Sequence, residues 1–181
     1  IMTQASPHSQ YLVSRVIALR GGITMPEAAP AEEGTARLAN DAANLVMTPG
    51  EVGPAYASLL VGNTDTEEAA LFDSEDDTLL QRSGAAWVAQ STEAAASAGQ
   101  AITYSVTAEQ SDSRIVALST GAGGALVATT VMESRVEEPE GDTRWRPTVP
   151  KSLSALSGLE GQQDRLVSVV AHQLLFYVPG A

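Results

Sequence analysis

The side chains able to do chemistry are few. The sequence holds only 2 histidines, His8 and His172. His8 lies in a polar lead-in beside Ser6-Pro7 and is expected in solvent. His172 interrupts an apolar run, where a satisfied core or edge histidine is the expected role, imidazole having many structural uses. As an acid or base it would need a carboxylate gathered beside it in a polar pocket. A metal would require further histidines or convergent carboxylates, so no metal site is expected. The run Ser74-Glu75-Asp76-Asp77 offers oxygens for a weak calcium. It lacks the glycine and distal glutamate of an EF-hand loop, and reads as a solvated helix start.

Covalent chemistry finds no support either. No G-x-S-x-G nucleophile elbow occurs. Gly121-Ala122-Gly123-Gly124 superficially resembles a phosphate loop, but neither G-x-x-x-x-G-K-[ST] nor G-x-G-x-x-G is present. Its flanks read as two strands, so it is expected to be a turn. The pairs Glu32-Glu33 and Glu137-Glu138 would serve acid–base catalysis if buried together. Both stand in acidic stretches with Pro or Gly, where a solvated loop is expected. No catalytic residue and no cofactor are therefore expected.

Binding has better candidates. Arg144-Trp145-Arg146 combines residue types enriched at interface hot spots, in an irregular, proline-bounded segment. The alternative is that Trp145 caps a sheet while the arginines cover its edges, since an amphipathic ring suits either use. Trp87, Tyr104 and Phe176 would line a pocket for a small apolar ligand if a long helix lies over a sheet. Trp87 is otherwise a core residue.

Composition narrows the class. A chain of 181 residues suffices for one domain, or one domain and part of another. Hydrophobic residues make up 44% but aromatics only 4%, so the core should be thin and the helices rich in alanine. A net charge of −12 disfavours nucleic acid, whose phosphates need clustered Lys and Arg. It disfavours adsorption to anionic lipid for the same reason, and leaves room for a basic protein partner. The absence of cysteine excludes disulfides and thiolate sites. No apolar run approaches the roughly 18–20 residues that span a bilayer. The start Ile1-Met2-Thr3 suggests a processed product or part of a longer protein, in which a lipid-anchoring cysteine would lie upstream.

The elements that must position these residues centre on a hairpin. Ile115–Thr120 and Ala125–Met132 are β-rich runs around the Gly121–Gly124 cluster, with both faces small or apolar, so both should be covered. Ala101–Glu109 alternates as a strand, with Ile102, Tyr104, Val106 and Ala108 on one face. Arg165–Val178 is a long closing strand. Glu133–Gly141 reads as an acidic turn, Asp142–Pro150 as irregular, and Lys151–Leu156 as a short edge strand. Upstream, Gln10–Arg20 reads as a strand with Tyr11, Val13, Ile17 and Leu19 on one face, although a short helix using Leu12, Val16 and Leu19 also fits. Glu27–Asn44 reads as a surface connection.

Helix signals are local. Thr48-Pro49-Gly50-Glu51 has an N-cap, a first-position proline and a glutamate three residues after the cap. Val52, Tyr56, Leu59 and Leu60 then form an apolar stripe, ended by Gly62-Asn63. Thr66–Phe72 reads as a second short helix burying Ala69, Ala70 and Phe72. Thr78–Ala98 reads as one long helix with Leu80, Trp87, Ala94 and Ala98 on a face, closed by Gly99. The fold expected is α+β, a long helix on a curved antiparallel sheet of four to five strands, preceded by two short helices. That arrangement is shared with cystatin-like and NTF2-like folds. Residues 1–46 would be a lead-in with one strand and a long connection, the end of a preceding half-domain, and 47–181 the α+β domain.

Thr48–Asp73 (TPGEVGPAYASLLVGNTDTEEAALFD), GGALVATTVMESRV and the closing RLVSVVAHQLLFYVPGA resemble the C-terminal half of a family of uncharacterised actinobacterial secreted proteins, many of them lipoproteins. The similarity runs from about Tyr11 to Ala181 and includes Gly22–Pro26 (GITMP), which resembles that family's link between halves. It implies a site of action outside the cytoplasmic membrane and a preceding half before Ile1. It carries no catalytic residues. The expected function is a non-enzymatic, extracytoplasmic interaction module, an accessory subunit on a membrane protein complex such as an actinobacterial respiratory assembly, or on another envelope protein. Membrane association would come only through the upstream lipid anchor. The alternative is a carrier or sensor of a small apolar ligand between helix and sheet.

Overall fold

Small β-rich residues around a glycine cluster make the central hairpin. In the computed structural model, which describes residues 1–4, 6–19, 21–27 and 34–181, strand β5 (Val116–Ser119) pairs antiparallel with β6 (Ala125–Pro139). Val116 stands opposite Ala128 and Ser119 opposite Ala125. The loop is closed by the Thr120 amide donating to the Gly124 carbonyl at 2.9 Å and the Gly124 amide donating to Thr120 Oγ1 at 3.1 Å. It is a turn, as the flanking strands required. Val127 to Val131 are all buried, so both faces of β6 are covered there.

β4 (Ile102–Gln110) runs antiparallel to β6. The Ser111 amide reaches the Thr130 carbonyl at 2.8 Å, and the Glu140 amide the Ala101 carbonyl at 2.9 Å. Its alternation is as expected, with Ile102, Tyr104, Val106 and Ala108 part-buried and their neighbours exposed. The sheet runs β3 (Arg37–Leu38), β5, β6, β4, and β7 (Leu166–Val178) also pairs with β6. Two further strands, β1 (Met2–Thr3) and β2 (Leu12–Val13), form a separate antiparallel pair. The α+β class and the sheet of about five strands are thus those expected.

Helix α1 (Pro49–Leu60) begins where the sequence places it. Glu51 reaches back to the Thr48 amide at 3.1 Å and accepts from its hydroxyl at 2.6 Å. These bonds hold the Glu51 carboxyl below its usual range. Val52, Tyr56, Leu59 and Leu60 are buried. The helix ends in a Schellman motif: the Asn63 amide bonds the Ser58 carbonyl and the Gly62 amide that of Leu59, with Gly62 at φ 100°.

Five expectations need correction. The helix expected over Thr78–Ala98 is α2 (Ala85–Ser97), because Gly84 at φ 59° breaks the path, and residues 78–83 form separate turns. Its buried residue is Ala95, while Ala94 and Ala98 are exposed. Thr66–Phe72 yields only a 3-10 turn (Ala69–Leu71), Thr66 Oγ1 accepting the Ala69 amide, with Ala70 exposed. Lys151–Leu156 is not a strand but the start of α3 (Lys151–Ser157), which follows Pro150 and is ended by Gly158 in the left-handed region, its amide bonded to the Ser154 carbonyl. The acidic turn expected at Glu133–Gly141 is instead, up to Pro139, the second half of β6, where Glu133 pairs with Arg135 on the same strand and Glu138 with Arg165. The long strand expected over Gln10–Arg20 shrinks to Leu12–Val13, leaving Tyr11, Val13 and Leu19 exposed and Ile17 part-buried.

Packing divides the chain into two compact units. The first comprises Ile1–Pro54, Gln110–Val131 and His172–Ala181. The second comprises Ala55–Glu109 and Met132–Ala171. Among the described residues, no helix is long and apolar enough to cross a membrane.

Candidate functional site

In the second unit a polar cluster gathers on β6. Residues two apart on a strand share a face, which brings Glu133 and Arg135 together. Glu133 is 0% exposed. Its Oε1 accepts from Arg135 Nε at 2.9 Å and from the Gly84 amide at 2.8 Å, and its Oε2 from Arg135 Nη2 at 3.1 Å. Arg135 Nη2 also donates to Ser83 Oγ at 3.1 Å. The guanidinium lies 5.0 Å from the Trp87 ring centroid, and Trp87 meets Tyr104 edge-on at 5.6 Å. Gly84 fits because a β-carbon there would stand 1.8 Å from the Leu60 carbonyl oxygen.

A bidentate, ring-capped ion pair whose buried carboxylate is bonded on both oxygens is a structural device. Nearby, burial raises the Glu137 carboxyl above its usual range. Tyr104 is raised by burial and then by the Glu137 charge. Tyr56 hydroxyl donates to Asp77 Oδ2 at 2.7 Å, while Asp77 Oδ1 accepts the Leu79 and Leu80 amides. Burial, followed by that bond and charge, raises the Tyr56 phenol. Asp77 therefore anchors the turns over 78–83 and is not the solvated cap the acidic run suggested.

The first unit is built differently. A cavity of about 590 Å³ is lined by Arg15, Arg114, Gln4, Gln173, Leu12 and Val116, among others, and by no carboxylate of the described residues. Arg15 is 6% exposed. Its Nη2 donates to Ser113 Oγ at 3.3 Å and to the Arg114 carbonyl, while its buried Nε has no hydrogen-bond partner. Burial lowers its pKa. The same unit holds two more buried polar atoms without a partner, Gln110 Oε1 and Thr129 Oγ1.

The residues singled out from the sequence scatter. Trp87 and Tyr104 do meet, but Phe176 belongs to the first unit, part-buried on β7. Arg146 is engaged internally, with Nε to Asp164 Oδ1 at 2.9 Å and Nη1 to the Thr143 and Trp145 carbonyls. Arg144 is exposed and Trp145 is 45% exposed. Glu138 pairs with Arg165 on the surface, so Glu137-Glu138 lies in a strand instead of a solvated loop. The Glu32-Glu33 pair lies outside the described residues. His8 is exposed and His172 part-buried on β7. No group of three or more metal-ligating side chains converges among the described residues. Sequence reading missed Arg15. Its signal was a lone cation alternating with Val13 and Ile17 on an otherwise apolar face.

A family model described as a domain of unknown function, DUF8094, matches residues 1–181, and the chain belongs to that family. Neither a curated protein nor a solved structure matches it.

Proposed function

We propose that this DUF8094 protein is a non-enzymatic interaction module working outside the cytoplasmic membrane, an accessory subunit that docks on a membrane protein complex. The observation that carries the reading is the apolar surface of its N-terminal segment. Tyr11, Leu12, Val13, Val16, Leu19, and Ile23 all stand in solvent, with Val16 76% exposed. Scattered apolar residues are ordinary on a surface, but six within thirteen residues mark a contact that a partner covers. Trp145 and Arg144 offer a second contact of hot-spot chemistry. The extracytoplasmic location is carried by the resemblance to secreted actinobacterial proteins. The non-enzymatic character is carried by the lack of nucleophile and phosphate-binding motifs. A cystatin-like or NTF2-like arrangement belongs to the same proposal, with α2 as its helix and Trp87 and Tyr104 on the covered face.

Co-purification of the full chain from detergent-solubilised membranes tests the docking. The wild type should bring a membrane complex with it, and the double variant Val16→Asp, Leu19→Asp should lose that complex while keeping its circular dichroism spectrum. A wild-type chain that elutes alone rejects the proposal.

A further inference from the structure

Among its described residues, the first unit buries Arg15 without giving it an opposite charge. Such a burial is unfavourable unless an anion completes it. Arg15 lines the cavity with only its Nη2 engaged, by a hydroxyl and a carbonyl, while Nε has no partner. Arg114 supplies a second positive charge at the wall, and the described lining includes no carboxylate, in a chain whose net charge is −12. The charged side chains of the described lining are therefore both cationic, in a chain that is acidic overall.

Neutral donors complete the polar side. Gln173 Oε1 accepts the Val16 amide at 3.0 Å, which orients the side chain and leaves its amide N–H groups for an acceptor. Leu12 and Val116 supply apolar wall. The volume of about 590 Å³ falls in the range of small-molecule sites. We infer that this cavity binds a small carboxylate amphiphile, its head on the Arg15 guanidinium and its hydrocarbon against Leu12 and Val116. The Arg15 guanidinium, with both Nη2 hydrogens already engaged and neutral amides and hydroxyls around it, suits a compact carboxylate that accepts from its remaining donors. The site differs from the proposed docking surface, sharing only Leu12 with it.

Titration of the full chain with octanoate, followed by calorimetry and by the Arg15 Nε–H signal in NMR, tests the binding. Octanoate should bind saturably and move that signal. Octan-1-ol, octylammonium and inorganic phosphate should each bind at least about tenfold more weakly, lacking either the carboxylate or the chain. Arg15→Gln should weaken octanoate by about tenfold or more, and Arg114→Gln by less. The inference is overturned by absent octanoate binding, by octan-1-ol or phosphate binding as well, or by an Arg15→Gln variant that binds unchanged. Should Arg15→Gln not fold, the wild-type Nε–H signal decides: a shift on saturation supports the site, and a signal that stays in place rejects it.

Discussion

The two units treat buried polar groups in opposite ways. In the second, Glu133 is closed in by Arg135 and the Gly84 amide, Arg135 is shared with Ser83 and capped by Trp87, and Asp77 takes the Tyr56 hydroxyl. In the first, Arg15 Nε, Gln110 Oε1 and Thr129 Oγ1 are all buried without a partner. A completed network holds one conformation and has nothing left to offer a ligand. An incomplete one costs stability, and native proteins keep such costs where a site needs them. The richest constellation of side chains in this molecule is thus structural, and the poorer one is where binding is to be sought.

If the contrast holds, breaking the completed network should cost most. Glu133→Ala leaves Arg135 without its carboxylate and should lower unfolding free energy by roughly 3–5 kcal/mol in urea titrations. A loss below about 1 kcal/mol would show that the pair does not hold this unit together. Tyr56→Phe keeps the edge-on contact with Phe72 but removes the hydroxyl from Asp77, and should cost about 1.5–3 kcal/mol by the same measurement. In the first unit the sign reverses. Thr129→Val replaces an unpartnered buried hydroxyl by a methyl and should raise stability by about 1 kcal/mol.

The smallest effect is expected at Glu137. Burial raises its folded pKa, so the folded chain holds that proton more tightly than the unfolded chain. Stability contributed by the protonated carboxyl is present below the ordinary carboxylate pKa and is lost as pH rises through the raised value. Glu137→Gln should therefore match the wild type in acid and have the higher urea midpoint at neutral pH. Curves that cross in the other direction would remove Glu137 from the buried face.

What was legible in the sequence was local. The Thr48–Glu51 cap, the Val52 to Leu60 stripe and the Gly62-Asn63 stop are each complete within a few residues, and α1 follows them. The alternation of β4 and the paired runs of the hairpin carry their own period. What failed depended on distant partners. The break at Gly84 comes from the Leu60 carbonyl and Glu133, neither of which lies near it in sequence. Glu133 and Arg135 looked like solvated charges until β6 set them side by side. Arg15 goes unnoticed within Gln10–Arg20, and only contact with Ser113 and Arg114 places it at a cavity. Trp145 drew notice by residue type alone, and its flanking Arg146 is spent on Asp164.

The bridge between Leu45 and Gly180 joins residues far apart in the sequence, reinforced by the Val46 amide on the Pro179 carbonyl and the Ala181 amide on the Asn44 carbonyl. During synthesis the residues of the second unit emerge before those partners exist. The first unit therefore closes around Leu45 only after residues 179–181 have been made, a long-range step that comes late in folding.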